Sequence, residues 1–263
     1  MTSQAVLLVH GLGGTEYDLG MLGKQLRQAG FDAHTLTLPG HGGKPEDLLP
    51  VAWTEWLDAV RERYRALRAS HDTVHLVGMC MGALLAVEAA KREGHGDAQT
   101  GNGGGGRLVA LAPPVFIDGW STPWYRFARH VVYRIAPLAR RVRVNEEEPY
   151  GVKNDRLRAI VKNRLLRGDG FHYPWVPLTC IREVDRLRRN VMRGLDTIAC
   201  PTLVVHARED ELTSLRSAHF LVDGINAANP GQASLVTLDN SYHMICVDND
   251  RERVANSVLE FLR

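Results

Sequence analysis

A chain of 263 residues, 44% apolar and 24% charged, has an ordinary globular composition and enough length to bury one sizeable α/β core. A net charge of +2 gives no reason to expect a nucleic-acid partner, and no run of 18 apolar residues offers a membrane span. The four cysteines (Cys80, Cys180, Cys200, Cys246) lie far apart without CxxC spacing, which speaks against a disulfide framework or a zinc site, and no leader-like segment precedes Ala5, so a cytoplasmic location is expected.

Apolar runs predict strands at 5–10, 33–38, 73–79, 107–112, 201–207 and 233–238. Between them, helical patterns fall near 17–29, 53–69, 81–93, 213–226 and 250–262. The turns carry matching punctuation: Gly30 after the first helix, Pro39-Gly40 after the second strand and Pro201 opening the fifth. Such alternation implies an α/β fold with a mainly parallel six-stranded sheet covered on both faces, and ligands that bind at the carboxyl ends of its strands.

Two segments break the rhythm. Gly101–Gly106 lacks the Lys-Ser/Thr ending of a phosphate loop and opens onto a strand, so it reads as a flexible surface connection. From Pro113-Pro114 to Cys200-Pro201 the pattern is helical without a good strand. This predicts a helical cap over 118–196, inserted into a core formed by 1–117 and 197–263. Residues 119–200 hold 17 Lys+Arg against 8 Asp+Glu, a net +9 that leaves −7 on the rest. Solvated helix faces explain that asymmetry, and so does an anionic partner. Trp120, Trp124, Tyr125, Phe127 and Tyr133 suit either an acyl pocket or the cap's own core.

The chemistry centres on Gly78-Met79-Cys80-Met81-Gly82, between the third strand and third helix. Strand, Gly-x-nucleophile-x-Gly, helix is the nucleophile elbow, here with Cys80 at its tip. A thiol nucleophile needs a base, an acid to orient the base, and donors for the oxyanion. His243 follows the last strand and Asp210 lies just beyond the fifth, so the order Cys80, Asp210, His243 is nucleophile, acid, base. Glu209, Glu211 and Asp118 are rival acids, and His206, within a strand, reads as packed. The turn His10-Gly11-Leu12-Gly13-Gly14 offers the backbone N–H of Leu12 to an oxyanion, and the elbow offers that of Met81. A histidine partner and the N-terminus of the following helix would favour the thiolate.

The stretches LLVHGLGGT, LTLPGHG, HLVGMCMGALLAVEAA, PTLVVHAREDELT and NSYHMICVD resemble the α/β-hydrolase superfamily, and most of all its small bacterial carboxylesterases and monoacylglycerol lipases. The resemblance covers most of the core and not the cap. It implies a triad of nucleophile, Asp and His, no cofactor or metal, and a cap that shapes the substrate pocket. The chain departs from these esterases at the nucleophile, normally Ser. Cys at the elbow resembles dienelactone hydrolases and polyhydroxyalkanoate synthases instead, although the cap is unlike the former and the length far below the latter. Cleavage of a small-molecule carboxylic ester through an acyl-Cys80 intermediate is the expectation. Thioester hydrolysis or acyl transfer from coenzyme A or an acidic carrier protein is the alternative, and a non-catalytic binder keeping the pocket is a third reading. The oligomeric state is not legible.

Overall fold

The computed structural model describes residues 3–95, 106–122, 127, 129–133, 135–168 and 170–263. The glycine run up to Gly105 falls outside the described residues, as do Trp124 and Tyr125.

Six strands, β1 (Gln4–Val9), β2 (Asp32–Leu36), β3 (Thr73–Met79), β4 (Leu108–Leu111), β7 (Thr202–Ala207) and β8 (Ala233–Leu238), form one sheet in the order β2-β1-β3-β4-β7-β8. Every neighbouring pair is parallel. Such strands are buried on both faces, which is why Ala5 to Val9 are all fully buried. Alternation sorts their side chains: Ala5, Leu7 and Val9 enter one core cluster, Val6 and Leu8 the other.

Helices α1 (Leu22–Gln28), α2 (Trp53–Arg68), α3 (Met81–Glu93), α8 (Leu215–Asn226) and α9 (Arg251–Leu262) flank the sheet. On α2 the buried residues Trp56, Leu57, Val60, Tyr64 and Leu67 trace one helical face. The first helix is shorter than its pattern. A 3₁₀ turn at Glu16–Leu19 ends at Gly20, whose φ of 54° breaks the helix, and a Cβ there would overlap the Cys246 carbonyl. The helix restarts only at Leu22.

The segment between β4 and β7 carries α4 (Arg129–Val132), α5 (Ala136–Arg141), α6 (Asp155–Arg167) and α7 (Leu178–Val191). It also holds two three-residue strands that the sequence did not announce, β5 (Arg143–Asn145) and β6 (Trp175–Pro177), paired antiparallel. Runs this short, one ending in proline, carry no readable alternation; a guanidinium helps hold them, with Arg143 over the Trp175 ring at 4.1 Å. Helix α7 packs inward, and its Cys180, Val184, Leu187 and Val191 share a core cluster with Leu84, Leu85 and Trp56. Lys91 on α3 donates to the carbonyls of Asn190 and Arg193 at 2.9 and 2.8 Å, fixing the C-terminal end of α7.

Register decides what meets at the carboxyl edge. Val9 pairs with Gly78 and Ala207 with Leu238. The turns after β1 and β3 therefore leave the sheet side by side, and so do the loops after β7 and β8.

Candidate active site

Cys80 sits between β3 and α3 with φ 56° and ψ −122°, a backbone conformation that non-glycine residues rarely adopt. Two contacts hold it there: its N–H donates to the Leu111 carbonyl (2.9 Å), and its carbonyl accepts from Ala83 N–H (2.9 Å). The flanking glycines are required by close approach. A Cβ on Gly78 would overlap the Gly82 carbonyl, and one on Gly82 would overlap the carbonyls of Val9 and His10. The turn thus presses the start of α3 against the end of β1 and leaves the Cys80 side chain half-buried as a free thiol.

The adjacent turn after β1 is shaped by two neutral imidazoles. His10 Nδ1 donates to Gly11 O (2.8 Å) while its Nε2 accepts from Leu38 N–H (3.2 Å). His41 Nδ1 donates to Pro39 O (3.2 Å) while its Nε2 accepts from Gly13 N–H (3.0 Å). Burial pushes their pKa values down to about 4 and about 3, so both remain acceptors at neutral pH. Gly13 N–H is thereby occupied. Among the described residues, the N–H groups of Leu12 and Met81 donate to no protein acceptor.

His243 and Asp210 meet directly. His243 Nδ1 lies 2.8 Å from Asp210 Oδ2, both residues buried. Asp210 Oδ1 accepts from the N–H groups of Leu212 and Thr213, each at 2.9 Å. Burial alone would raise the Asp210 pKa, but the His243 charge and these hydrogen bonds outweigh it and hold the carboxyl below the usual range. Burial likewise works against a charged His243, and Asp210 with Cys80 reverses it, holding the imidazole well above the ordinary histidine value. Cys80 thus faces the His243 ring and helps to favour its charged form. Nε2 makes no hydrogen bond of ordinary geometry, so that contact is loose, as catalytic contacts often are before substrate tightens them.

The rival acids stand elsewhere. Glu211 accepts from the His243 backbone N–H at 3.0 Å, Glu209 pairs with Lys153 at 2.8 Å, and Asp118 accepts from Ser214 N–H at 2.9 Å. His206 is fully buried, donating Nε2–H to the Thr213 carbonyl (3.0 Å).

Three supports escaped the sequence reading. Asp248, fully buried, accepts from the N–H groups of Tyr242, Lys153 and Asn154 at 2.9, 2.7 and 3.0 Å and knits the His243 loop to the start of α6. The strip 171–173 clasps the turn after β1: Tyr173 N–H donates to Gly13 O at 2.7 Å, and Thr15 Oγ1 donates to Phe171 O at 2.8 Å. Beneath that clasp lies Asp18, buried against Gly14, with Oδ1 lacking any hydrogen-bond partner. Burial raises its pKa to about 6 even though His172 opposes the shift. An Asp on a short 3₁₀ turn carries no local signal of burial, whereas the Gly-rich turn beside it could have suggested one.

The chain matches the alpha/beta hydrolase family over residues 6–257. It is 24% identical over 261 residues to a carboxylesterase of Bacillus subtilis (strain 168), covering 98% of this chain and 92% of that one. It is 25% identical over 256 residues to a thermostable monoacylglycerol lipase of Bacillus sp. (strain H-257), covering 97% and 89%. Its fold is similar to that of the crystallised Paleococcus ferrophilus monoacylglycerol lipase, with a TM-score of 0.76 at 19% identity over 98% of this chain and 93% of the other. With nearly the whole chain matched, the protein belongs to the alpha/beta hydrolase family.

Proposed function

We propose that the protein hydrolyses carboxylic esters through a covalent acyl-Cys80 intermediate, with His243 as base and Asp210 as its orienting acid. The observation that carries this reading is the 2.8 Å contact of His243 Nδ1 with Asp210, beside a thiol held on a strained turn. The likeness to a carboxylesterase and a monoacylglycerol lipase supports the bond class.

His243 Nε2 takes the Sγ proton as the sulfur attacks the ester carbonyl carbon. The oxygen becomes an oxyanion facing the N–H groups of Leu12 and Met81, which are short of other acceptors and need no reorganisation. Imidazolium returns the proton to the leaving alkoxide as the C–O bond breaks, leaving a thioester on Cys80. A water then loses its proton to His243, attacks the thioester carbon and expels the thiolate, which is reprotonated as the acid departs. Segment 118–196 acts in this reading as the lid over the site, rooted in the core by α7.

A second reading has one observation in its favour. A cavity of about 290 Å³ opens between the turn after β4, α7 and the start of α8. It is lined by Arg129, Arg188, Arg189 and Arg216 against Asp118 and Asp185. Arg129 and Arg188 are committed to Asp185 at 3.1 and 2.6 Å and Arg216 pairs loosely with Asp118 at 3.8 Å, which leaves chiefly Arg189 to meet an anion. Such a site suits the phosphates of an acyl-CoA or acyl carrier, and thioesters pass readily to amines and thiols.

A panel of p-nitrophenyl esters and acyl-CoA thioesters tests both. Ester turnover abolished by iodoacetamide, with the label on Cys80, is expected; labelling without loss of turnover overturns the Cys80 role, and no turnover on any substrate favours a binding protein. The second reading requires kcat/KM for acyl-CoA to fall with ionic strength while that for a neutral ester stays flat, because screening over a Debye length of about 8–10 Å acts on charged encounters.

A further inference from the structure

At the amino end of the sheet, away from Cys80, the fold gathers Asp32, His34 and His71. Asp32 and His34 lie on the edge strand β2, and His71 ends the turn after α2. Their ligand-type atoms, Asp32 Oδ2 and the two Nε2 nitrogens, lie within 4.8 Å of one another. Both nitrogens converge on the same oxygen, His34 at 2.8 Å and His71 at 3.0 Å. The imidazoles are half-buried and steeply inclined, with centroids 6.1 Å apart at 75°. The carboxylate is exposed and free to adjust.

The hydrogen bonds around this group are of a kind that a metal ion could take over. His71 Nε2 bonds Asp32 Oδ2 at 3.0 Å and its Nδ1 lies 3.1 Å from the Leu67 carbonyl; a proton kept on Nδ1 toward that carbonyl frees Nε2 to take a cation in place of the Asp32 contact. Ser70 Oγ lies 2.9 Å from the same Nδ1 and also reaches the Leu67 and Ala66 carbonyls at 3.3 and 3.4 Å, so its proton has an acceptor whichever ring nitrogen of His71 is protonated. His34 Nε2 is shielded from solvent and makes no hydrogen bond of ordinary geometry despite its nearness to Asp32. Two imidazole nitrogens and one carboxylate oxygen that converge on one point form a cluster in which a cation can replace the protons they share. A backbone carbonyl on the far nitrogen of a metal-binding histidine is the usual outer support that fixes its tautomer.

We infer that Asp32, His34 and His71 form a surface binding site for one borderline divalent transition-metal ion of the zinc type. Imidazole nitrogens select such ions over magnesium or calcium, which prefer all-oxygen shells. Tetrahedral zinc holds these ligands at about 2.0–2.1 Å, which spaces ligand atoms roughly 3.3 Å apart. Moving Asp32 outward by a few tenths of an ångström brings its oxygen to that distance from both nitrogens, which lie within 4.8 Å of each other. His34 Nδ1, which now accepts from Arg63 at 3.0 Å, then carries the proton, and the Arg63 side chain turns away. Bound metal staples the edge strand β2 to the turn before β3, so its effect is on stability. The expectation of a metal-free chain rested on cysteine spacing, which says nothing of histidines brought together by the sheet.

Zinc chloride titrated calorimetrically into the Cys80→Ser protein tests this, since that background removes the thiol beside His243 as a competing ligand. One ion per chain should bind at micromolar concentration, raising Tm by about 5 °C at roughly 100-fold excess over Kd. Separate His71→Gln and Asp32→Asn changes, the latter at an exposed position, should each weaken binding more than about 10-fold, and Arg63→Ala should not weaken it. Magnesium should give no heat. Absence of zinc binding at millimolar concentration, or binding by the His71→Gln and His34→Gln proteins as tight as that of the Cys80→Ser parent, overturns the inference.

Discussion

The elbow and the inserted segment are held together by different physics. Around Cys80 the geometry is dictated by backbone: Gly78, Gly82 and the carbonyls of Val9 and His10 pack so closely that a single Cβ would collide, and Met79 and Met81 are at most 1% exposed. On the insertion, α6 has no fully buried residue, and Ile160 and Leu166 are 55% and 77% exposed. Its fastenings are ion pairs such as Lys162–Glu148 and Arg158–Asp155. A centre fixed by backbone keeps its shape whether a thiol or a hydroxyl stands at the tip. A cover fixed by solvated charge pairs is free to vary in sequence, because each pair contributes little. The strip 171–176 and α7 are the exceptions: Phe171, Tyr173 and Val176 are buried, and Cys180, Leu187 and Val191 join a core cluster, so these parts of the insertion share the rigidity of the core.

The contrast breaks first at the chemistry. Cys80→Ala and His243→Ala should each lower kcat for an ester by about 10³–10⁶-fold, the former with the thermal transition intact, and Asp210→Asn by about 10⁴-fold. Retained turnover in either alanine variant would remove that residue from the machinery.

Asp18 should come next, with an unusual sign. Its folded pKa of about 6 exceeds 3.8, so the buried carboxyl costs no stability below pH 3.8, and the cost grows as pH rises to 6 and then persists. Asp18→Asn should therefore stabilise the protein above pH 7 and not at pH 4, by roughly 3 kcal/mol at most. Thermal melts at the two pH values check it. His243 has the opposite dependence. With its folded pKa raised above 6.5, its pairing with Asp210 contributes fully below pH 6.5 and is lost as pH rises through the folded value. His243→Gln should flatten that limb of the stability profile.

Gly82→Ala tests the backbone claim and should cost about 1–3 kcal/mol or more in denaturant melts, because Val9 and His10 have no flexible atoms to move aside. At the small end, Lys162→Ala should leave Tm unchanged, since both members of its ion pair are about half exposed. A clear drop in Tm would mean that the insertion is stiffer than its surface suggests.

The six sheet strands were legible because each is a short apolar run bounded by turn residues, and the carboxyl-edge residues because chain order mirrors the order of loops. Asp210 was separable from Glu209 and Glu211 only in three dimensions, where one residue's difference decides which carboxylate reaches Nδ1 and which reaches the backbone. The helix expected at 17–29 was cut by Gly20, whose role depends on the distant Cys246 carbonyl. Strands β5 and β6 were invisible because three residues cannot show a period. His41 and Asp248 act through backbone N–H groups far away in sequence, and such contacts leave no spacing to read. Asp32, His34 and His71 come from two segments that the sheet joins.

The central claim is that the acyl group passes through Cys80 sulfur. Rapid-quench intact-mass spectrometry during turnover of a p-nitrophenyl ester measures this directly. The account predicts a transient acyl adduct on Cys80, removed by hydroxylamine and absent from Cys80→Ala and, through slowed acylation, from His243→Ala. An adduct on another residue, or undiminished turnover by Cys80→Ala, would contradict it.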